Sequence, residues 1–196
     1  MDNQCGIILL AGGASSRLGS PKQSLLFKQT TLLQHSIHVA LDSLAEFVVV
    51  VLGAAAETLH PAIQDAKLAV VINNQWQEGM ASSIRCGLQY LMKQQPGLRS
   101  AIFMVCDQPY ISAGLLNKLV TLQRETGQAV IASQYAETTG IPAIFDKQLF
   151  QELLQLKGDA GAKKLIMQQP ALCTVPFPLG DIDIDTAADY SALQKM

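Results

Sequence analysis

Charge is scarce in this chain. Only 15% of its 196 residues are Asp, Glu, Lys or Arg, and their formal sum is −2. Such a balance gives no electrostatic footprint for nucleic acid, so any basic character has to be local. Cysteine is sparse as well: Cys5, Cys86, Cys106 and Cys173 lie far apart without CxxC spacing. That pattern indicates neither a zinc site nor a disulfide framework and reads as reduced, buried thiols. Long apolar runs are missing. The longest covers positions 47–56, ten residues, too few to cross a bilayer. The start, Met1-Asp2-Asn3-Gln4, offers no basic stretch followed by a cleavable apolar segment. The expectation is therefore a cytoplasmic protein with no membrane partner. Disorder is excluded by a hydrophobic share of 49%. The length suits one domain over residues 1–196, with ample material for a core.

What is present is organised around one loop. Positions 7–11 form an apolar run expected to be a buried strand. The run stops at Gly12 and Gly13, where the backbone can turn tightly and bring N–H groups close to an anion. Ala14, Ser15 and Ser16 follow, then Arg17, Gly19 and Lys22. N–H donors, a fork-shaped cation and a point cation together suit a triphosphate. Two standard phosphate loops do not fit. Gly19 is followed by Ser20 and Pro21 rather than the Lys of a P-loop, and Gly12 and Gly13 adjoin where the dinucleotide fingerprint needs a spacer. The plain alternative is a small-residue turn after a strand.

Further along, strands and helices alternate. Thr30 or Thr31 is placed to cap a helix over 32–41, and positions 47–52 read as a strand ending at Gly53. His35 and His38 have chelating spacing but no acidic or cysteine partner nearby, so they read as packing or surface residues. A short strand over 68–72 leads through Asn73, Asn74 and Trp76 to Gly79, Ser82 and Ser83 ahead of a helix over 84–91. Ser82 or Ser83 is expected to cap that helix, although a helix N-terminus also offers free N–H groups to a ligand. Trp76, the single tryptophan, reads as a packing residue.

A strand over 101–106 ends at Asp107, a carboxylate placed in the crevice where the first loop opens. Helix 112–126 and strand 128–133 follow, then a strand over 141–145 expected at a sheet edge because of Pro142. Asp159 is expected to cap a helix ending at Met167, with Lys163 and Lys164 solvated. After a last strand over 172–175, Asp181, Asp183 and Asp185 alternate with isoleucine, which puts three carboxylates on one face of an extended segment. Like charges so close suggest a cation nearby, with a helix-cap role for one of them as the plain alternative.

Six motifs carry a resemblance: LLAGGASSRLGSPK, NNQWQEGMASSIRCGL, VCDQP, GIPAIF, LKGDAGAKKL and DIDT. In this order they resemble the nucleotidyltransferases of the molybdenum-cofactor group across nearly the whole chain. The resemblance implies an α/β fold: a Rossmann-like three-layer domain with a mostly parallel sheet and one antiparallel edge region, like the nucleotide-diphospho-sugar transferases. It implies an enzyme that moves a nucleotidyl group from an NTP to a phosphorylated pterin and releases pyrophosphate. Arg17, Lys22 and Asp107 would be catalytic. Leu10, Ala11, Gly12, Gly13, Ala14, Ser15, Ser16, Gly53, Asn74, Gly79, Ser82 and Ser83 would bind the nucleotide. Asp107, Asp183 and Asp185 would hold Mg²⁺, with Mn²⁺ an alternative. The VCDQP, GDAGAK and DIDT motifs resemble the cytidylyltransferase branch and favour CTP, whereas Gly12 resembles the guanylyltransferase branch and GTP. Lys163 stands where the resemblance leads one to expect Arg, and Ala187-Ala188 where it leads one to expect Pro-Glu. Two other readings stand beside this one: a non-catalytic accessory protein that delivers cofactor to a molybdoenzyme or its chaperone, and a sugar-1-phosphate nucleotidyltransferase.

Overall fold

The computed structural model describes residues 4–15, 17–63, 67–170 and 172–195. Seven strands form one sheet: β1 (Cys5–Ala11), β4 (Phe47–Leu52), β5 (Leu68–Ile72), β6 (Ser100–Val105), β7 (Val130–Tyr135), β8 (Thr138–Asp146) and β9 (Cys173–Pro176). Their order is β5-β4-β1-β6-β8-β7-β9, and a separate ribbon pairs β2 (Leu26–Phe27) with β3 (Thr30–Thr31). All neighbours in the large sheet run parallel except those of β8, which is antiparallel to both β6 and β7.

Why the central strands read as unbroken apolar runs is plain from their surroundings. All of β1 is buried, so both of its faces need apolar side chains. Ile7, Leu9 and Ala11 join one core with α1 (Leu32–Leu41), α2 (Ala56–Leu59) and α4 (Ala113–Thr126). Ile8 and Leu10 join the other, with α3 (Met80–Gln94), α5 (Phe150–Leu154) and α6 (Lys163–Met167). The outcome is a three-layer α/β sandwich. A third cluster is smaller: Phe27 and Leu32 bury Ile184 and Leu193, the latter on α7 (Ala187–Leu193).

The strand carrying Pro142 lies inside the sheet, between β6 and β7, and is nine residues long. The expected edge position is therefore corrected. Register slips between Ala132 and Ser133, so Ile141 and Pro142 face no paired residue. The irregularity removes the need for a ladder donor at proline, and Ser133 donates its hydroxyl to the Pro142 carbonyl at 2.6 Å. Among the described residues no helix is long and apolar enough to cross a membrane.

The chain runs from β1 outward to β4 and β5, then returns to place β6 on the other flank of β1. That reversal opens a crevice beyond the C-terminal ends of β1 and β6, where open α/β sheets bind ligands.

Candidate active site

Loop 12–21 leaves β1 at this crevice. It begins where two glycines meet: a Cβ on Gly53 would collide with Gly12, and the Ala54 N–H donates to the Gly12 carbonyl at 3.2 Å. Only bare backbone fits between the ends of β1 and β4. The loop then folds on itself. Ser15 takes a positive φ of 52° and accepts the Lys22 N–H on its hydroxyl at 3.0 Å, while Leu18 N–H donates to the Ser15 carbonyl. Strain of this kind concentrates at ligand clamps.

Lys22 is the result of that folding. Its Nζ lies 2.5 Å from Asp107 Oδ2 and 2.7 Å from Asp185 Oδ1. Burial works against its charge, but the two carboxylates outweigh burial and hold its pKa above the ordinary lysine value. Asp107 is carried by the exit of β6. Asp185 arrives from far along the chain by three ties: Ile184 is fully buried beneath Phe27 and Leu32, Ile184 N–H donates to the Asp107 carbonyl at 3.0 Å, and Tyr190 donates its hydroxyl to the Leu26 carbonyl. Thr186 caps α7 in a capping box with Asp189. The cap belongs to those two residues, which leaves Asp185 free to meet Lys22.

Asp183 is exposed, yet partial desolvation and the neighbouring charges of Asp107 and Asp185 raise its pKa to about 6. Asp181 lies in a turn, so the expected run of three carboxylates on one extended face is reduced to Asp183 and Asp185. Among the described residues no three His, Cys, Asp or Glu side chains converge on a single metal-sized point. The donors here are carboxylate oxygens, which suit a hard divalent cation such as Mg²⁺ or Mn²⁺. Such ions take one or two protein carboxylates and complete their shell with phosphate and water.

A cleft of ≈ 380 Å³ joins these groups to the start of α3. Leu10, Ala11, Gly12, Gly13, Ala14, Lys22, Gly79, Ser83 and Asp107 line it, all of them anticipated. Gly79 has φ +99°, and a Cβ there would strike Asp159 and the Gly158 carbonyl. Gly79, not a serine, is the N-cap of α3, and the helix starts at Met80, four residues earlier than the sequence suggests. Ser82 and Ser83 sit buried in its first turn instead. Asn73 explains them: its Nδ2 donates to Ser82 Oγ at 2.7 Å and Ser83 Oγ at 3.1 Å, and its Oδ1 accepts the Gln75 N–H. Ser82 donates onward to the Gly79 carbonyl and is turned away from the cleft; Ser83 reaches it.

Several anticipated residues lie elsewhere. Asn74 is exposed in a shallow groove beside β5, and its neighbour Asn73 is the buried partner. Gly53 supports Gly12 from behind. Arg17 is exposed on the loop and forms no ion pair among the described residues. Ser16 falls outside the described residues. Asp159 caps nothing, because α6 starts after Ala162 without a side-chain cap; Asp159 stands at the cleft beside Gly79. Trp76 lines the same cleft instead of the core. Gln23 was not anticipated at all, since an isolated glutamine after lysine carries no periodic or spacing signal. His35 is a packing residue, bonded to the Pro109 carbonyl and edge-on to Phe27, and His38 is exposed.

Comparison with known proteins decides the family. Residues 7–172 match the family described as MobA-like NTP transferase domain. This chain belongs to that family. It is therefore a nucleotidyltransferase. A Paenarthrobacter nicotinovorans protein called nicotine blue oxidoreductase is 27% identical over 96% of this chain and 93% of its own length. A Bacillus mycoides protein named as a probable molybdenum cofactor guanylyltransferase is 23% identical over 98% and 97%. The crystal structure of Rv0371c from Mycobacterium tuberculosis superposes on this MobA-like transferase with a TM-score of 0.88, 28% identity and 100% of both chains covered. A second structure of that protein is a complex with manganese, with a TM-score of 0.81, 26% identity and 98% of each chain covered.

Proposed function

We propose that this enzyme transfers CMP from CTP to the phosphate of a molybdopterin-type pterin, with Mg²⁺, and releases pyrophosphate. The observation that carries this reading is the position of Lys22: it closes the glycine loop and reaches Asp107 and Asp185 together. A phosphate-binding loop thus ends on the residues suited to the cation that accompanies a triphosphate.

An acceptor phosphate oxygen attacks the α-phosphorus; the bond to the β-phosphate oxygen breaks and pyrophosphate leaves. A phosphate monoester is largely ionised at neutral pH, with a second pKa of about 6, so the step needs no histidine base. Lys22, Arg17 and the N–H groups between Ala11 and Ser16 stabilise the charge gathering on the phosphates. Asp107 with Asp183 or Asp185 would hold the divalent ion, which when bound neutralises phosphate oxygens as a Lewis acid. Gly79 and Ser83 face the nucleoside. Four unpaired thiols suit a cytoplasmic setting.

The motifs VCDQP, GDAGAK and DIDT support CTP. A GTP reading is favoured by Gly12, where a Cβ would lie 3.0 Å from Ser83 Oγ, and by the guanylyltransferase relative. Thermal shifts with CTP, GTP, ATP and UTP, each with Mg²⁺, separate the two. A nucleotide at 100 times its Kd adds about 2.7 kcal/mol of apparent stability. CTP is expected to give the largest shift, and a larger shift with GTP reverses the assignment. Pyrophosphate release on adding a phosphorylated pterin tests the transfer; nucleotide binding without release with every acceptor supports the accessory-protein reading.

A further inference from the structure

Gln23 is 1% exposed, and every polar atom of its side chain is engaged by the glycine loop. Its Nε2 donates to the Ala11 carbonyl at 2.9 Å and to the Gly13 carbonyl at 3.1 Å. Its Oε1 accepts from Ser15 Oγ at 3.5 Å, and that same hydroxyl accepts the Lys22 N–H at 3.0 Å. One buried amide therefore ties three loop residues and the backbone of Lys22 into a single closed network.

The partners it chooses matter. Carbonyl oxygens are the negative ends of the peptide dipoles, and two of them, at the rim of a cleft for a triphosphate, would repel the ligand. Nε2 holds both. In a trans peptide the N–H points opposite to the C=O, so fixing the Gly13 carbonyl also fixes the Ala14 N–H away from Gln23. The N–H groups of Gly13 and Ala14 donate to no described residue, which leaves them for an anion. We infer that Gln23 is a positioning residue for the triphosphate: it withdraws the Ala11 and Gly13 carbonyls from the phosphates and sets the loop, with Lys22, in its anion-binding form. The inference rests on the proposed nucleotide site and adds to it a buried residue of the same cleft that acts through the loop.

Gln23→Met in the full chain keeps the side-chain volume and removes all three hydrogen bonds. Binding of inorganic pyrophosphate, CTP and cytidine is measured by calorimetry beside kcat and KM. Pyrophosphate and CTP are expected to bind ~10-fold more weakly and kcat/KM for CTP to fall ~10²-fold, on the scale of losing an oriented oxyanion donor. Cytidine affinity and the KM for the pterin are expected to stay within ~3-fold, since the network sets the phosphate side of the loop and leaves Gly79 and Ser83 in place (a tenfold change corresponds to 1.4 kcal/mol). Unchanged pyrophosphate binding, or an equal loss for cytidine and pyrophosphate, overturns the inference. A wild-type chain that binds neither CTP nor pyrophosphate overturns the nucleotide site itself. Should Gln23→Met fail to fold, Ser15→Ala breaks the same network at two bonds, the one to Gln23 Oε1 and the one from the Lys22 N–H. It is then expected to weaken pyrophosphate and not cytidine, and equal affinities for pyrophosphate in variant and wild type overturn the proposal.

Discussion

Lys22 Nζ and Asp107 Oδ2 are 2.5 Å apart although 85 residues separate them in the chain. Neither element alone could produce the contact: the lysine ends a loop from the first strand, and the aspartate ends the strand that flanks it on the other side. The pair also constrains mutagenesis. Removing Lys22 takes the cation away from both Asp107 and Asp185, whereas removing Asp107 leaves Lys22 paired with Asp185, so single variants report both chemistry and the cost of the altered pairing.

Asp107→Ala is expected to lower pyrophosphate release by ~10²-fold or more, and Lys22→Ala to do the same, the size expected when a transition-state charge loses one stabilising group. Activity of Asp107→Ala within a few fold of wild type would remove Asp107 from the metal and catalytic assignments. Arg17→Ala tests a different geometry. Arg17 is exposed on the loop and free of ion pairs among the described residues, and the same ~10²-fold loss is expected of Arg17→Ala; activity within a few fold of wild type would remove Arg17 from the catalytic assignment.

Much of this arrangement was legible because it depends on local pattern. Strands at 47–52 and 68–72, and the helix capped by Ser112, follow from apolar runs and cap residues that need no distant partner. The loop with Lys22 and the strand end with Asp107 were visible for the same reason. What stayed hidden was set by long-range contacts. Pro142 signalled an edge, but a register slip across from Ser133 accommodated it in the interior. Asn73 and Asn74 are equivalent in sequence, and only the start of α3 decides which one is buried. Asp159 resembles a helix cap until Gly79, 80 residues earlier, is seen to stand against it.

Gly79→Ala is expected to destabilise the fold by about 1–3 kcal/mol, the usual cost of a side chain at such a backbone conformation, with further loss from the clash with Asp159. Urea unfolding measures it. Combining it with Asp159→Gly is expected to recover only the side-chain part of the clash and to leave the conformational cost and the contact with the Gly158 carbonyl. A Gly79→Ala midpoint equal to wild type contradicts the described turn.

Trp76 is the single tryptophan and lines the cleft, so its emission reports occupancy without a label. Titration with CTP and Mg²⁺ is expected to change the intensity or shift the maximum of the fluorescence, saturably and at the affinity seen by thermal shift. Emission that stays constant through saturation places the nucleoside away from the Trp76 wall.

Asp183 gives the site a pH signature. Its pKa is raised from 3.8 to about 6, so the folded protein holds this proton more tightly than the unfolded chain. The contribution to stability is full below pH 4 and is lost as pH rises through 6. At pH 7.5 the ionised group is repelled by Asp107 and Asp185. Asp183→Asn is therefore expected to raise Tm at pH 7.5 in the absence of nucleotide and to leave it near wild type at pH 4. A lower Tm at pH 7.5 would show that Asp183 is held by a favourable partner instead.

The buried thiols set the alkaline limit. Cys5 and Cys106 are pushed up from 9.0 to about 12, first by desolvation, and for Cys106 then by the charge of Asp107. Both are thiols rather than thiolates at pH 8, and alkylation by iodoacetamide is expected only on unfolding. Because the folded values exceed the unfolded ones, this contribution to stability is complete below pH 9 and declines between 9 and 12, by up to about 1.4 kcal/mol per pH unit for each thiol. Cys106→Ala is expected to flatten that decline at the price of a small cavity under β6. Rapid labelling of Cys106 in the native protein at pH 8 would show that the strand end bearing Asp107 opens to solvent, and the carboxylate that Lys22 meets would then not be held in place by the fold.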